Sequence, residues 1–153
     1  MSALFAKMNL KDQTAITVLD APQSFEPALA ELSGVTVARA VKKGTPVHFG
    51  LAFATTQKAL DRASTALTAA AEGDAILWIA YPKGTSKRYT CEFNRDSGWT
   101  VLGAAGFEPV RMVAIDEDWS ALRFRRTSHI KTLKRAPEMS ISAEGRTRAR
   151  SAK

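Results

Sequence analysis

The chain has 153 residues, of which 45% are hydrophobic and 24% charged, with one cysteine and two histidines. That length suits one domain with a core of its own. The single Cys91 excludes an internal disulfide and a cysteine-rich zinc site, and His48 and His129 are too few for a dedicated transition-metal centre. The formal net charge of +7 is uneven: residues 1–122 hold 12 Lys and Arg against 13 Asp and Glu, and residues 123–153 hold 10 against 2. Basicity therefore belongs to the C-terminal end.

The opening MSALFAKMNLKDQ lacks the basic-then-apolar pattern of a secretion signal. The longest strongly apolar run, Ala75 to Pro82, is far short of the roughly 20 residues that a membrane-spanning helix needs. A cytoplasmic location is expected. Ala15 to Leu19 is a short, β-branched apolar run that reads as a buried strand ending at Asp20-Ala21-Pro22. Ser24 is placed to cap a helix through Leu32, with Pro27 in its first turn and Gly34 as its stop. The alternation from Val35 to Val41 predicts a second strand nearer an edge, and Lys42 to Pro46 a turn.

Val47 to Ala54 predicts a third strand, after which Thr55 or Thr56 can cap the next helix. Ala59, Leu60, Ala63, Ala66, Leu67 and Ala70 recur at helical spacing from Gln57 to Glu72, and Gly73 stands as the terminator. Ala75 to Tyr81 is the clearest strand, a continuous apolar run. A basic loop follows, then a helix starting at Asn94 or Asp96 and stopping at Gly106. Pro109 to Ile115 and Ser120 to Arg126 read as a final hairpin joined by Asp116-Glu117-Asp118. This order predicts an α/β fold: a mostly parallel sheet with helices on both faces, ending in an antiparallel hairpin. That ending is the methyltransferase-like variant of the Rossmann layout, with helix 57–72 linking strands beside the switch point. Residues 1–126 form the expected domain. Residues 127–153, poor in large apolar side chains, read as a basic, disordered tail.

Four stretches, YPKG at 81–84, DSGW at 96–99, AAGFEPVRMVAID at 104–116 and WSALRFR at 119–125, resemble an uncharacterised bacterial domain-of-unknown-function family. The resemblance spans roughly residues 10–126. It implies a small, degenerate Rossmann-like fold and supplies neither a reaction nor a catalytic residue.

The turn after the first strand is where S-adenosylmethionine and dinucleotides require glycine, because the backbone must approach the ligand closely. Here it reads Asp20-Ala21-Pro22-Gln23-Ser24-Phe25, with no glycine and with a proline that removes a donor. No cofactor is predicted. KGTSKRY at 83–89 fails as a phosphate loop, since it has one glycine and no adjoining helix. It reads as a solvated turn, with Lys83, Thr85, Ser86, Lys87 and Arg88 as candidates for holding an anion at the carboxyl edge.

Asp116, Glu117 and Asp118 read as turn formers rather than magnesium ligands. Trp78, Trp99 and Trp119 read as core. No base pairs with a nucleophile, and Cys91, although near Lys87, Arg88 and Arg95, is expected to be unreactive. Arg123, Arg125, Arg126, Lys131, Lys134, Arg135, Arg146, Arg148 and Arg150 are the candidates for weak, nonspecific contact with nucleic acid or another polyanion. The function expected first is a non-catalytic binding or interaction module with that tail. The alternative is a small-molecule enzyme or ligand sensor working near Asp20, Tyr81, Lys83 and Lys87.

Overall fold

A computed structural model describes residues 3–94 and 97–130. Six strands form one sheet among these residues: β1 (Ala15–Leu19), β2 (Thr36–Ala38), β3 (Val47–Phe53), β4 (Ala71–Pro82), β5 (Phe107–Ala114) and β6 (Trp119–Arg126), in the order β2-β1-β3-β4-β6-β5. The first four pair in parallel, and β6 runs antiparallel between β4 and β5. The expected doubly wound layout with an antiparallel ending is what forms.

Each face has its own core, and the periods of the elements show why. Ile16, Val18, Phe49, Leu51, Trp78 and Ala121 alternate onto one face and meet Phe5, Met8, Phe25 and Leu29. Those last residues come from α1 (Ala3–Lys7), the turn after it, a 3₁₀ turn (Gln23–Phe25) and α2 (Glu26–Ala30). Leu77, Ile79, Leu122 and Phe124 point the other way, against Leu60, Ala63 and Leu67 of α3 (Gln57–Ala70) and Leu102 of α4 (Thr100–Ala104). The Thr56 hydroxyl accepts from the Ala59 N–H and starts α3, as its residue type favours.

Four local expectations change. Ser24 caps nothing: the 3₁₀ turn is preceded by Pro22, which at φ −68° and ψ 157° is already extended, and α2 is only five residues long. Gly73 does not terminate α3. Ala71 is already extended and pairs with Val47, and Gly73, at φ +60°, bends the irregular start of β4 where pairing jumps to Phe49 and Ile76. The second strand shrinks to Thr36–Ala38 at the sheet edge. The helix expected from 94 or 96 is only α4: Asn94 forms a bridge with Ser97, and residue 96 lies outside the described residues. A feature unread in the sequence is α1, which buries Phe5 completely.

A final 3₁₀ turn (Thr127–His129) places the Thr127 side chain in the core, where its N–H and hydroxyl both donate to the Gly106 carbonyl. With Ile130 also buried, the packed body continues to residue 130. No helix among the described residues is long and apolar enough to cross a membrane.

Candidate functional site at the carboxyl edge

The link from β1 to β2 carries α2 over one face, and the link from β3 to β4 carries α3 over the other. The chain therefore diverges between β1 and β3, and the crevice at such a switch point is where open α/β sheets hold ligands. The groups that arrive there follow the four parallel strands.

Asp20 ends β1. It is exposed and sits at φ +57°, a left-handed conformation that a non-glycine residue adopts at a cost, less for Asp than for most. Behind it the chain turns inward. The Pro22 carbonyl accepts from the Phe25 N–H at 2.9 Å, and Phe25 is buried. Its ring lies 5.9 Å from Phe5 and 4.9 Å from Phe53 at the end of β3. The row continues to Trp119 at 5.1 Å and to Tyr89, another 4.9 Å on. Aromatic packing thus fills the corner behind the β1 turn. At the end of β2, Arg39 is gripped by both oxygens of Glu26, at 2.6 and 2.7 Å. That hydrogen bond leads the causes that hold the Glu26 carboxyl below its ordinary pKa.

The basic loop after β4 is tied to the β5–β6 turn. The Lys83 N–H donates to the Asp118 carbonyl and the Ser86 hydroxyl to the Asp118 carboxylate, each at 2.8 Å. The same hydroxyl accepts from the N–H groups of Arg88 and Tyr89. Ser86 is therefore fully engaged within the protein, Lys83 is half-buried, and Thr85, Lys87 and Arg88 are exposed. Tyr81 is buried against Phe93 and Trp99. Asp116 accepts from the N–H groups of Asp118 and Trp119, which makes it a turn former.

Sequence reasoning missed the docking of Glu92 and Gly98 onto the start of α3. The Glu92 carboxylate accepts from the Gln57 N–H at 2.8 Å, an anion placed at a helix N-terminus, and the Glu92 N–H donates to Thr55. The Gln57 side chain bridges Asp61 and the Gly98 carbonyl. Pairs 35 and 41 residues apart leave no local signal. Cys91, beside these contacts, has its thiol pKa raised by burial and then by Glu92, against a backbone hydrogen bond from Phe93 that lowers it. Lys87 and Arg88, near it in sequence, are not among those causes. An open groove of about 580 Å³ between the 42–46 turn and the end of α3 lies at the opposite, amino edge of the sheet.

Of the nine basic residues assigned to the C-terminal end, Lys131, Lys134, Arg135, Arg146, Arg148 and Arg150 lie outside the described residues. Two of the other three, Arg125 and Arg126, are used by the fold. Arg125 forms a two-pronged pair with Asp74, at 2.6 and 2.8 Å. Arg126 donates to the carbonyls of Gly73 and Ala71 and covers the Phe107 ring at 4.9 Å. Arg123 is half-buried in the sheet.

No family model matches the chain, and no curated protein matches it. Among solved structures it is similar to an S-adenosylmethionine-dependent methyltransferase from Aquifex aeolicus, at 15% identity over 80% of this chain and 87% of that one, with a TM-score of 0.54. It is also similar to magnesium protoporphyrin IX methyltransferase from Synechocystis, with S-adenosylhomocysteine bound, at 13% identity over 81% and 78%, TM-score 0.52. At such identities the likeness is one of fold, and the fold is methyltransferase-like.

These neighbours overturn the expectation of a non-catalytic module acting through a polyanion-contacting tail. The shared scaffold is one used by small-molecule enzymes, which supports the alternative of an enzyme or ligand sensor. The cofactor of those neighbours does not fit the turn after β1 as this chain builds it. Pro22 offers no N–H, its carbonyl is taken, and Phe25 packs into the corner. Where an acid is expected to hold a ribose hydroxyl, about 20 residues on, stands Arg39.

Proposed function

We propose that the protein is a methyltransferase-like small-molecule enzyme or ligand sensor whose ligand sits outside the carboxyl ends of β1 and β4 rather than on a glycine turn. One observation carries this reading: an exposed carboxylate, Asp20, held in a left-handed conformation at the switch point. Strained residues that the surrounding fold over-determines gather at ligand sites. Its partner in the proposal is Lys83 at the end of β4, flanked by Lys87 and Arg88.

Two strand spacings separate the ends of β1 and β4 in the sheet order, on the order of 10 Å. A small metabolite spans that distance. Asp20 accepts from its hydroxyl or amino group, and the lysines face its anionic end. The same reading includes the resemblance to a bacterial domain family and a cytoplasmic location, both of which rest on the sequence alone.

A thermal-shift panel of nucleotides, sugar phosphates, amino-acid derivatives and S-adenosylmethionine tests it. A ligand at a hundred times its Kd adds about 2.7 kcal/mol of stability. The expected result is a shift from a phosphorylated or zwitterionic member that Asp20→Asn abolishes without lowering the unliganded melting temperature. A panel without any shift sinks the reading.

A further inference from the structure

On the sheet face that α1 and α2 cover over β1, β3 and β4, the β5–β6 ribbon carries an unusual rung. Arg111 and Arg123 are direct partners in the antiparallel ladder. Their side chains rise from the same face, with Cβ atoms about 5 Å apart. Arg125, two residues along β6, shares that face. Like charges set directly opposite each other destabilise a strand pair, so a compensating acid is expected.

Two acids lie on this face: the buried Glu108, the ladder partner of Arg125, and Asp74, which Arg125 grips. Oδ1 accepts from Nε at 2.8 Å and Oδ2 from the terminal nitrogen at 2.6 Å. Arg123 is left over. Its Nε is buried without a hydrogen-bond partner, a costly state for a donor on a charged group. Burial lowers the Arg123 pKa and the charges of Arg125 and Arg111 lower it further, with Asp74 opposing. Neither Arg111 nor Arg123 is hydrogen-bonded to an acid among the described residues, whereas Arg125 is.

We propose that Arg111 and Arg123 form a clamp for a phosphate monoester carried by a small molecule. Each guanidinium presents a planar fork of donors matched to phosphate oxygens. Two such forks match the three free oxygens of a phosphate monoester better than the two of a carboxylate or a phosphodiester. Arg123 stands opposite Trp78 in mid-strand, away from Asp20, so the clamp is independent of the site at the carboxyl edge.

The test measures melting of the full chain in inorganic phosphate, acetate and chloride at matched ionic strength, at a pH where phosphate is doubly charged. Phosphate is expected to raise the melting temperature saturably, with a matching change in its phosphorus resonance, while acetate behaves as chloride. Arg111→Gln removes a like-charged neighbour, so melting in chloride is expected to hold or rise while the phosphate response disappears. Arg123→Lys, which keeps the charge and loses the fork, is expected to weaken that response. A short oligonucleotide should compete poorly, because its diester phosphates are singly charged.

Equal melting in phosphate and chloride overturns the clamp, as does a full phosphate response in Arg111→Gln. An acetate response or oligonucleotide competition as strong as that of phosphate overturns the monoester assignment. Asp20→Asn should leave all these results unchanged, which separates this site from the carboxyl edge.

Discussion

The indole Nε1 of Trp78 donates to the Met8 carbonyl at 3.0 Å, joining the middle of β4 to the turn after α1 across 70 residues of chain. Both residues are wholly buried. Trp78→Phe removes the donor and leaves a carbonyl unpaired in the core, a loss of about 1–3 kcal/mol before any repacking. Urea denaturation reads it, and an unchanged midpoint would show that this bond contributes no stability.

Gly98 sits at φ +99°, and a Cβ there would lie 2.7 Å from the Phe93 Cβ and 2.9 Å from the Gln57 side-chain oxygen. Its carbonyl also receives the Gln57 amide. Gly98→Ala is expected to cost about 1–3 kcal/mol through strain and displacement of the segment docked on α3. Gly84→Ala is the control, since a Cβ there meets nothing within 4 Å. It should change stability by less than about 0.5 kcal/mol. Equal thermal unfolding of the two variants would refute the docking role.

The Arg125 hydrogen bonds hold the Asp74 carboxyl below its ordinary pKa, with burial opposing. Because the folded pKa is the depressed one, the contribution is complete above the unfolded value, near pH 4, and is lost as pH falls through the lower folded value. The pair is partly exposed, which limits its worth to about 0–1 kcal/mol. Asp74→Asn should therefore melt slightly lower than the parent at neutral pH, with the gap closing in acid. A gap that widens on acidification contradicts this assignment.

Burial raises the Cys91 thiol pKa. Since the thiolate is the reactive form, alkylation at neutral pH should be slower than for a free thiol and should accelerate as the solution becomes alkaline. Rapid modification of the folded protein at neutral pH would count against the environment described here.

The strand from 15 to 19, the apolar run of β4 and the closing hairpin are legible because each carries its period locally, and Thr56 is legible as a cap because one short-range bond makes it so. Gly73 misleads because glycine serves a helix stop and a bent strand start equally well, and only the pairing of Ala71 with Val47 decides between them. At the candidate site, Asp20 and the basic loop can be picked out by position. The closure of the corner by Phe25, Phe53 and Trp119 cannot, because those rings come from three distant segments.

The order and burial of the segments settle the doubly wound sheet, because alternation and helical spacing record which side of each element faces apolar neighbours. They do not settle which polar groups meet. Asp74 with Arg125 (51 residues apart), Ser86 with Asp118 (32) and Gln57 with Glu92 (35) depend on strand register and loop course. That is why the arginines at 123, 125 and 126 read alike along the chain and differ in the fold. One is paired to an acid, one is laid over a ring, and one is left with a buried donor that has no partner.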